Sequence, residues 1–261
     1  MKKGLVTFSL SVFFLFNPLI LAFPVNKGIS PPVPGYSKNR PVSPVSSSEP
    51  LCGQSSVFQL PLHIFPASSE PGLPLVFMIS GDGGWGWFDQ QLALHLAKKN
   101  IPCIGLDAFH YFWNKKTPEM VAHDIEPVIS YYLKYWNRTQ IILIGYSFGA
   151  EIVPFVARKF IPSLRNKTAL VVMLSPTERT GFEIHFIDML SIDSRKDTYD
   201  VVNEVRNLQN TKVLCIFGQD ENTKIPSLIH DKRVHFYYTK GGHHFDRSYD
   251  EIIQAILKDL N

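Results

Sequence analysis

Short apolar runs rich in β-branched residues recur along the chain at 57–65, 75–80, 101–106, 140–144, 169–174, 212–217 and 234–238. They are strand-length, and they lack the apolar/polar alternation of a strand with one wet face. Strands buried on both faces read this way. Between most of them lie stretches with apolar residues at helical spacing, at 88–99, 147–160 and 248–260. A further helix opens at Thr117-Pro118-Glu119, with an N-cap hydroxyl, a proline at the first position and an acid in the first turn. Strands alternating with helices predict an α/β domain, its sheet mostly parallel and covered by helices on both faces. The segment 175–210 breaks the rhythm between two strands. An excursion there is expected to form a small lid or an ordinary surface insertion.

The first residues follow a different pattern. Lys2 and Lys3 precede an apolar run from Leu5 to Phe23, interrupted at Asn17-Pro18. A basic start followed by an apolar stretch reads as a secretory signal over residues 1–23, cleaved near Ala22. An uncleaved membrane anchor is the alternative. Residues 24–54 are rich in Pro and Ser and carry few apolar anchors, the composition of a linker. The folded domain is expected over 55–261, and the exported protein is expected in the periplasm.

Charge and cysteine content narrow the function classes. The formal net charge is +3 over 261 residues, with no clustered basic run, which argues against a nucleic-acid partner. Of the three cysteines, Cys103 and Cys215 fall inside apolar runs and read as buried free thiols, while Cys52 lies ahead of the domain.

The chemistry centres on Gly145-Tyr146-Ser147-Phe148-Gly149. Four apolar residues precede this G-x-S-x-G motif and a helix-compatible run follows it, the setting of a nucleophile elbow. The turn is strained, and small residues on either side let strand and helix pass close together. A serine hydroxyl needs an adjacent base, and in such a sheet the partners follow in the order serine, acid, histidine. The run 212–217 ends in Gly218-Gln219-Asp220-Glu221. We assign Asp220 as the acid, with Glu221 as the alternative, since the acid often sits three residues after the glycine. The last run leads into Gly241-Gly242-His243-His244-Phe245. His244, next to an aromatic that can anchor the loop, is preferred over His243 as the base. An oxyanion hole requires two backbone N–H groups. Phe148 supplies one. Asp82, or alternatively Gly83, in Ser80-Gly81-Asp82-Gly83-Gly84-Trp85 supplies the other. That loop lacks the Lys-Ser/Thr ending of a phosphate-binding loop, and no residue set has metal-ligand spacing, so neither cofactor nor metal is expected. Aromatics crowd the same loops: Trp85, Trp87, Phe88, Phe109, Tyr111, Phe112 and Trp113. Among them Trp85, Tyr111 and Trp113 are expected to line an apolar substrate pocket. Together these features predict the α/β-hydrolase fold.

The set formed by Ser80–Trp85, Tyr111-Phe112-Trp113, Thr117-Pro118-Glu119, Gly145–Ala150 and Gly241–Phe245 resembles the bacterial virulence protein family AcvB/VirJ over nearly all of residues 55–261. The resemblance implies an exported protein linked to virulence and type IV secretion, whose components would be its partners. It also implies hydrolysis of an aminoacylated phospholipid such as lysyl-phosphatidylglycerol at a membrane surface. The substrate amine would then meet an acid such as Asp82, Asp107 or Glu151. Two other readings stand beside this one: a non-catalytic binding or assembly factor of a secretion system, and a generic lipase or thioesterase.

Overall fold

Each central strand divides its side chains between two apolar layers. In β2 (Leu75–Ile79) every residue is buried: Leu75, Phe77 and Ile79 enter one core, Val76 and Met78 the other. β4 (Ile141–Tyr146) and β5 (Thr168–Leu174) divide in the same way. The period of two is therefore present, but both sets of positions are apolar because helices cover both faces. The computed structural model describes residues 59–68, 72–184 and 199–260. The expected signal over 1–23, the expected linker over 24–54, Cys52 and residues 185–198 of the 175–210 excursion lie outside these residues.

The seven-stranded sheet has the order β1-β3-β2-β4-β5-β8-β9. β3 is Cys103–Leu106, β8 Lys212–Gly218 and β9 Val234–Thr239. All neighbours pair in parallel except β1 (Leu62–Phe65), which lies antiparallel against β3 at the edge. Helices α1 (Trp87–Lys98) and the C-terminal helix Tyr249–Leu260 pack on one face. Helices α2 (Pro118–Tyr135), α3 (Phe148–Lys159) and α4 (Val201–Asn207) pack on the other. The α2 cap forms as its residues suggest: Thr117 accepts a hydrogen bond from the Met120 N–H, with Pro118 at the first turn. Cys103 and Cys215 are buried free thiols.

From β2 the chain runs outward to β3 and then crosses back to β4 on the other side of β2. A reversal of this kind opens a crevice at the carboxyl ends of the two flanking strands. Pairing of Ile79 with Gly145 brings the loop after β2 level with the loop after β4.

The described ends of the excursion form a small ladder, β6 (Arg179–Thr180) against β7 (Tyr199–Asp200). Phe182 packs edge-on against Phe112, Phe155 and Tyr199, which ties this segment to the α2/α3 face. The stretch 185–198, where the centre of a lid would fall, lies outside the described residues.

Candidate active site

β4 delivers Ser147 on a backbone that no ordinary residue adopts freely. Its φ is 52° and its ψ −116°, between the last strand residue and the first turn of α3. Such a conformation persists only where the surroundings over-determine it. Here the glycines do so. A Cβ on Gly145 would lie 2.1 Å from the Gly149 carbonyl oxygen, and one on Gly149 would lie 2.2 Å from the Ile79 oxygen. β4, α3 and the end of β2 thus pass at distances that exclude any side chain.

His243 stands over the serine, its Nε2 2.9 Å from Ser147 Oγ. On the far side of the ring, Nδ1 lies 3.3 Å from Glu221 Oε2. The carboxylate is held from behind: Glu221 Oε1 accepts from the Gly218 N–H at 2.6 Å and from the Ser175 hydroxyl at 2.7 Å. Burial alone would raise this carboxyl, but the hydrogen bonds from His243, Ser175 and Gly218 outweigh it and hold its pKa below the ordinary value. The acid and the histidine meet because the tip of β8 touches the histidine loop. A Cβ on Gly218 would fall 2.2 Å from the Gly241 oxygen.

The loop after β2 closes the other side. Gly81 lies against the serine, where an added Cβ would be 3.6 Å from Ser147 Cβ. The Gly84 N–H bonds back to the Gly81 oxygen at 3.0 Å. That turn leaves the N–H groups of Asp82 and Gly83 without a hydrogen bond among the described residues, and the Phe148 N–H is likewise open. A cavity of about 570 Å³ is lined by Ser147 and His243 together with Asp82, Trp87, Asp89, Asp246 and Arg247.

The model of the bacterial virulence protein family VirJ matches residues 74–261. The chain belongs to this family. No curated protein matches it in sequence. Solved structures share the fold at low identity. The esterase Est1E from Butyrivibrio proteoclasticus aligns at TM-score 0.52 and 15% identity, covering 76% of this chain and 93% of its own. The α/β hydrolase GrgF from Penicillium sp. sh18 aligns at TM-score 0.56 and 13% identity, covering 76% and 91%. A thermophilic esterase from Thermogutta terrifontis aligns at 0.55 and 14%, covering 77% and 94%. The α/β-hydrolase fold is thereby established for this VirJ-family chain.

Within that frame the choices inside each pair are corrected. Glu221, not Asp220, faces the histidine. The turn from Gly218 closes with the Glu221 N–H on the Gly218 oxygen at 3.1 Å. It carries residue 221 back under the loop and leaves Asp220 exposed. His243, not His244, meets the serine. Phe245 does anchor the loop, fully buried against Phe88 at 5.4 Å between ring centres. However, His244 turns the other way, with Nδ1 2.6 Å from the Tyr146 hydroxyl.

The expected pocket aromatics are also corrected: none of the three lines the cavity. Trp85 stacks on His63 at 4.8 Å and donates its Nε1–H to Gln90. Its ring fills the space over Gly105, where a Cβ would be 2.1 Å away. Tyr111 is 6% exposed and donates to Asp124. Trp113 is 51% exposed, on the outside of its loop against Phe109. Trp87, 70% exposed, stands at the cavity wall instead. Among the acids considered for an amine, Asp82 lines the cavity. Asp107 is engaged with His110 at 2.7 Å and Glu151 with Thr177 at 2.5 Å, both elsewhere.

Two supporting residues escaped sequence reasoning: Ser175, which fixes Glu221, and Asp89, which accepts from the Gly86 N–H at 2.9 Å. Asp89 had a signal, an acid three residues into a helix behind a glycine. Ser175 had none, because its partner comes from another strand. Among the described residues, no group of His, Cys, Asp and Glu could hold a metal. No helix there is long and apolar enough to cross a membrane.

Proposed function

We propose that this chain is an exported serine esterase that cleaves the aminoacyl ester of an aminoacylated phosphatidylglycerol such as lysyl-phosphatidylglycerol. The observation that carries the chemistry is the Ser147–His243–Glu221 relay at the mouth of an open cavity. With Nδ1–H donating to Glu221, His243 Nε2 is the acceptor for the serine proton. Ser147 Oγ attacks the ester carbonyl while His243 takes that proton. The carbonyl oxygen, now negative, faces the N–H groups of Phe148 and of Asp82 or Gly83. Collapse of the intermediate expels the alcohol, protonated by His243, and water then releases the acyl group by the same path. Glu221 stays ionised and stabilises the imidazolium.

Family membership supports the substrate, as does the character of the cavity. The Asp82 carboxylate lines the cavity beside the serine, where a cationic acyl group would lie. The signal-like start of the sequence supports export. In the decisive experiment, purified protein and its Ser147→Ala variant are incubated with vesicles containing lysyl- or alanyl-phosphatidylglycerol, or triglyceride. We expect free amino acid from the wild type only, a fluorophosphonate adduct at Ser147, and poor triglyceride turnover. Equal rates on triglyceride would leave a generic lipase. No turnover of any ester would leave a binding factor.

A further inference from the structure

The histidine loop continues into a backbone that nothing in the relay requires. Phe245, Asp246 and Arg247 have φ values of 56°, 43° and 65°, three consecutive non-glycine residues in the left-handed region. Each is disfavoured by contact between Cβ and the carbonyl oxygen. The turn is held at both ends: the Phe245 N–H bonds to Gly242 O at 2.9 Å, and the Ser248 N–H to Phe245 O at 2.8 Å. Phe245 is buried in the core beneath it. Strain of this kind concentrates where a fold must present a side chain at a particular place.

The residue so presented is Arg247, the one Arg or Lys among the residues lining the cavity. Its guanidinium makes no hydrogen bond, ion pair or ring contact with the described residues. The adjacent Asp246 carboxylate makes no ion pair with it. Asp246 packs onto Gly241, where a Cβ would meet its carboxyl carbon at 2.3 Å. Asp89 is turned to the Gly86 N–H, and Asp82 sits on the opposite loop.

We infer that Arg247 forms an anion subsite, taking a phosphate-type group on the alcohol side of the ester. This rests on the esterase reading above. The side follows from proton transfer. His243 must protonate the departing alcohol oxygen, so the alcohol lies on the histidine side of Ser147. Arg247 is on that same loop, four residues on. The carboxylate of Asp82 belongs to the loop after β2. Arg247 thus places a guanidinium on the leaving-group side of the cavity, with the Asp82 carboxylate on the opposite loop. A guanidinium suits a phosphodiester because its fork of donors matches two phosphate oxygens.

The test has a binding arm that is independent of turnover. Glycerophosphoglycerol and inorganic phosphate are titrated calorimetrically into the full chain and its Arg247→Gln variant. A charge-assisted pair predicts roughly 10- to 100-fold weaker binding of glycerophosphoglycerol to the variant. Equal binding by the two proteins overturns the subsite. Preference for glycerophosphoglycerol over inorganic phosphate supports a headgroup ligand; the reverse preference overturns the assignment to a leaving group. The kinetic arm uses two soluble lysyl esters, one of a neutral alcohol and one of a phosphodiester alcohol. The loss in kcat/KM for Arg247→Gln should be at least about tenfold greater on the phosphodiester. Equal losses on both overturn the proposal. Turnover of neither ester refutes the esterase reading and leaves the binding arm to decide the subsite.

Discussion

Replacing Glu221 with Gln removes one charge and little else, which makes it the sharpest probe of the relay. The amide keeps an oxygen to accept from the Gly218 N–H and Ser175 hydroxyl, so the β8 tip should hold its shape. What is lost is the attraction between a carboxylate and the imidazolium that forms during turnover. At the observed 3.3 Å, two unit charges attract by about 5 kcal/mol at an effective dielectric near 20. The His243 side chain is 43% exposed, so solvent reduces this to roughly 2–4 kcal/mol. The expected fall in kcat is therefore roughly 30- to 1,000-fold, with KM little changed. Asp220→Asn, at an exposed carboxylate, should change kcat less than about threefold. The assay is hydrolysis of a soluble lysyl ester, with thermal melts of each variant to confirm folding. A kcat for Glu221→Gln within threefold of wild type, or an equal loss for Asp220→Asn, would refute the reasoning.

Two further outcomes follow from the same geometry. His243→Ala should lower kcat by about 10⁴-fold or more, whereas His244→Ala, which only releases the Tyr146 hydroxyl, should cost about tenfold; steady-state kinetics on one ester separates them, and a reversed order would reinstate His244 as the base. Burial of Asp89, whose Oδ1 has no hydrogen-bond partner, pushes its pKa up to about 7 from an ordinary 3.8. The folded state therefore binds a proton that the unfolded chain has released, and the stability present below about pH 4 is lost as pH rises through about 7. Asp89→Asn, which keeps an acceptor for Gly86, should abolish this slope and raise stability at pH 8 by about 1–4 kcal/mol, read from urea midpoints at pH 5 and pH 8. A lower midpoint for the variant at pH 8 would contradict it.

The fold was legible because its signals are local. All seven main strands coincide with apolar runs, and the four long helices begin within a residue or so of the expected positions. The order serine, acid, histidine was legible for the same reason, since each group directly follows a strand. The choice within each pair was not. Whether residue 220 or 221 faces inward depends on a turn closed by the Glu221 N–H on Gly218, and on Ser175 from a neighbouring strand. Neighbouring histidines diverge, and which one reaches Ser147 depends on Tyr146 capturing the other. Trp85, Tyr111 and Trp113 stand near the site in sequence. Their partners, Gly105 with His63, Asp124 and Phe109, belong to packing beneath or outside the loops. Proximity along the chain cannot show which way a ring turns.

On the proposed serine-esterase mechanism, the contact between the β8 tip and the glycines of the histidine loop sets the order in which the protein becomes active. Ser147 and His243 are 96 residues apart, and the histidine loop follows the final strand of the sheet. A nascent chain therefore displays its serine long before it owns a base. Until β9 has zipped onto β8 and Gly218 has closed on Gly241, that serine is only a weakly reactive alcohol. Chains that stall during synthesis, or lose their last segment to a protease, should then be inert rather than promiscuous, read as loss of fluorophosphonate labelling at Ser147. Reactivity arrives last, as a by-product of finishing the sheet.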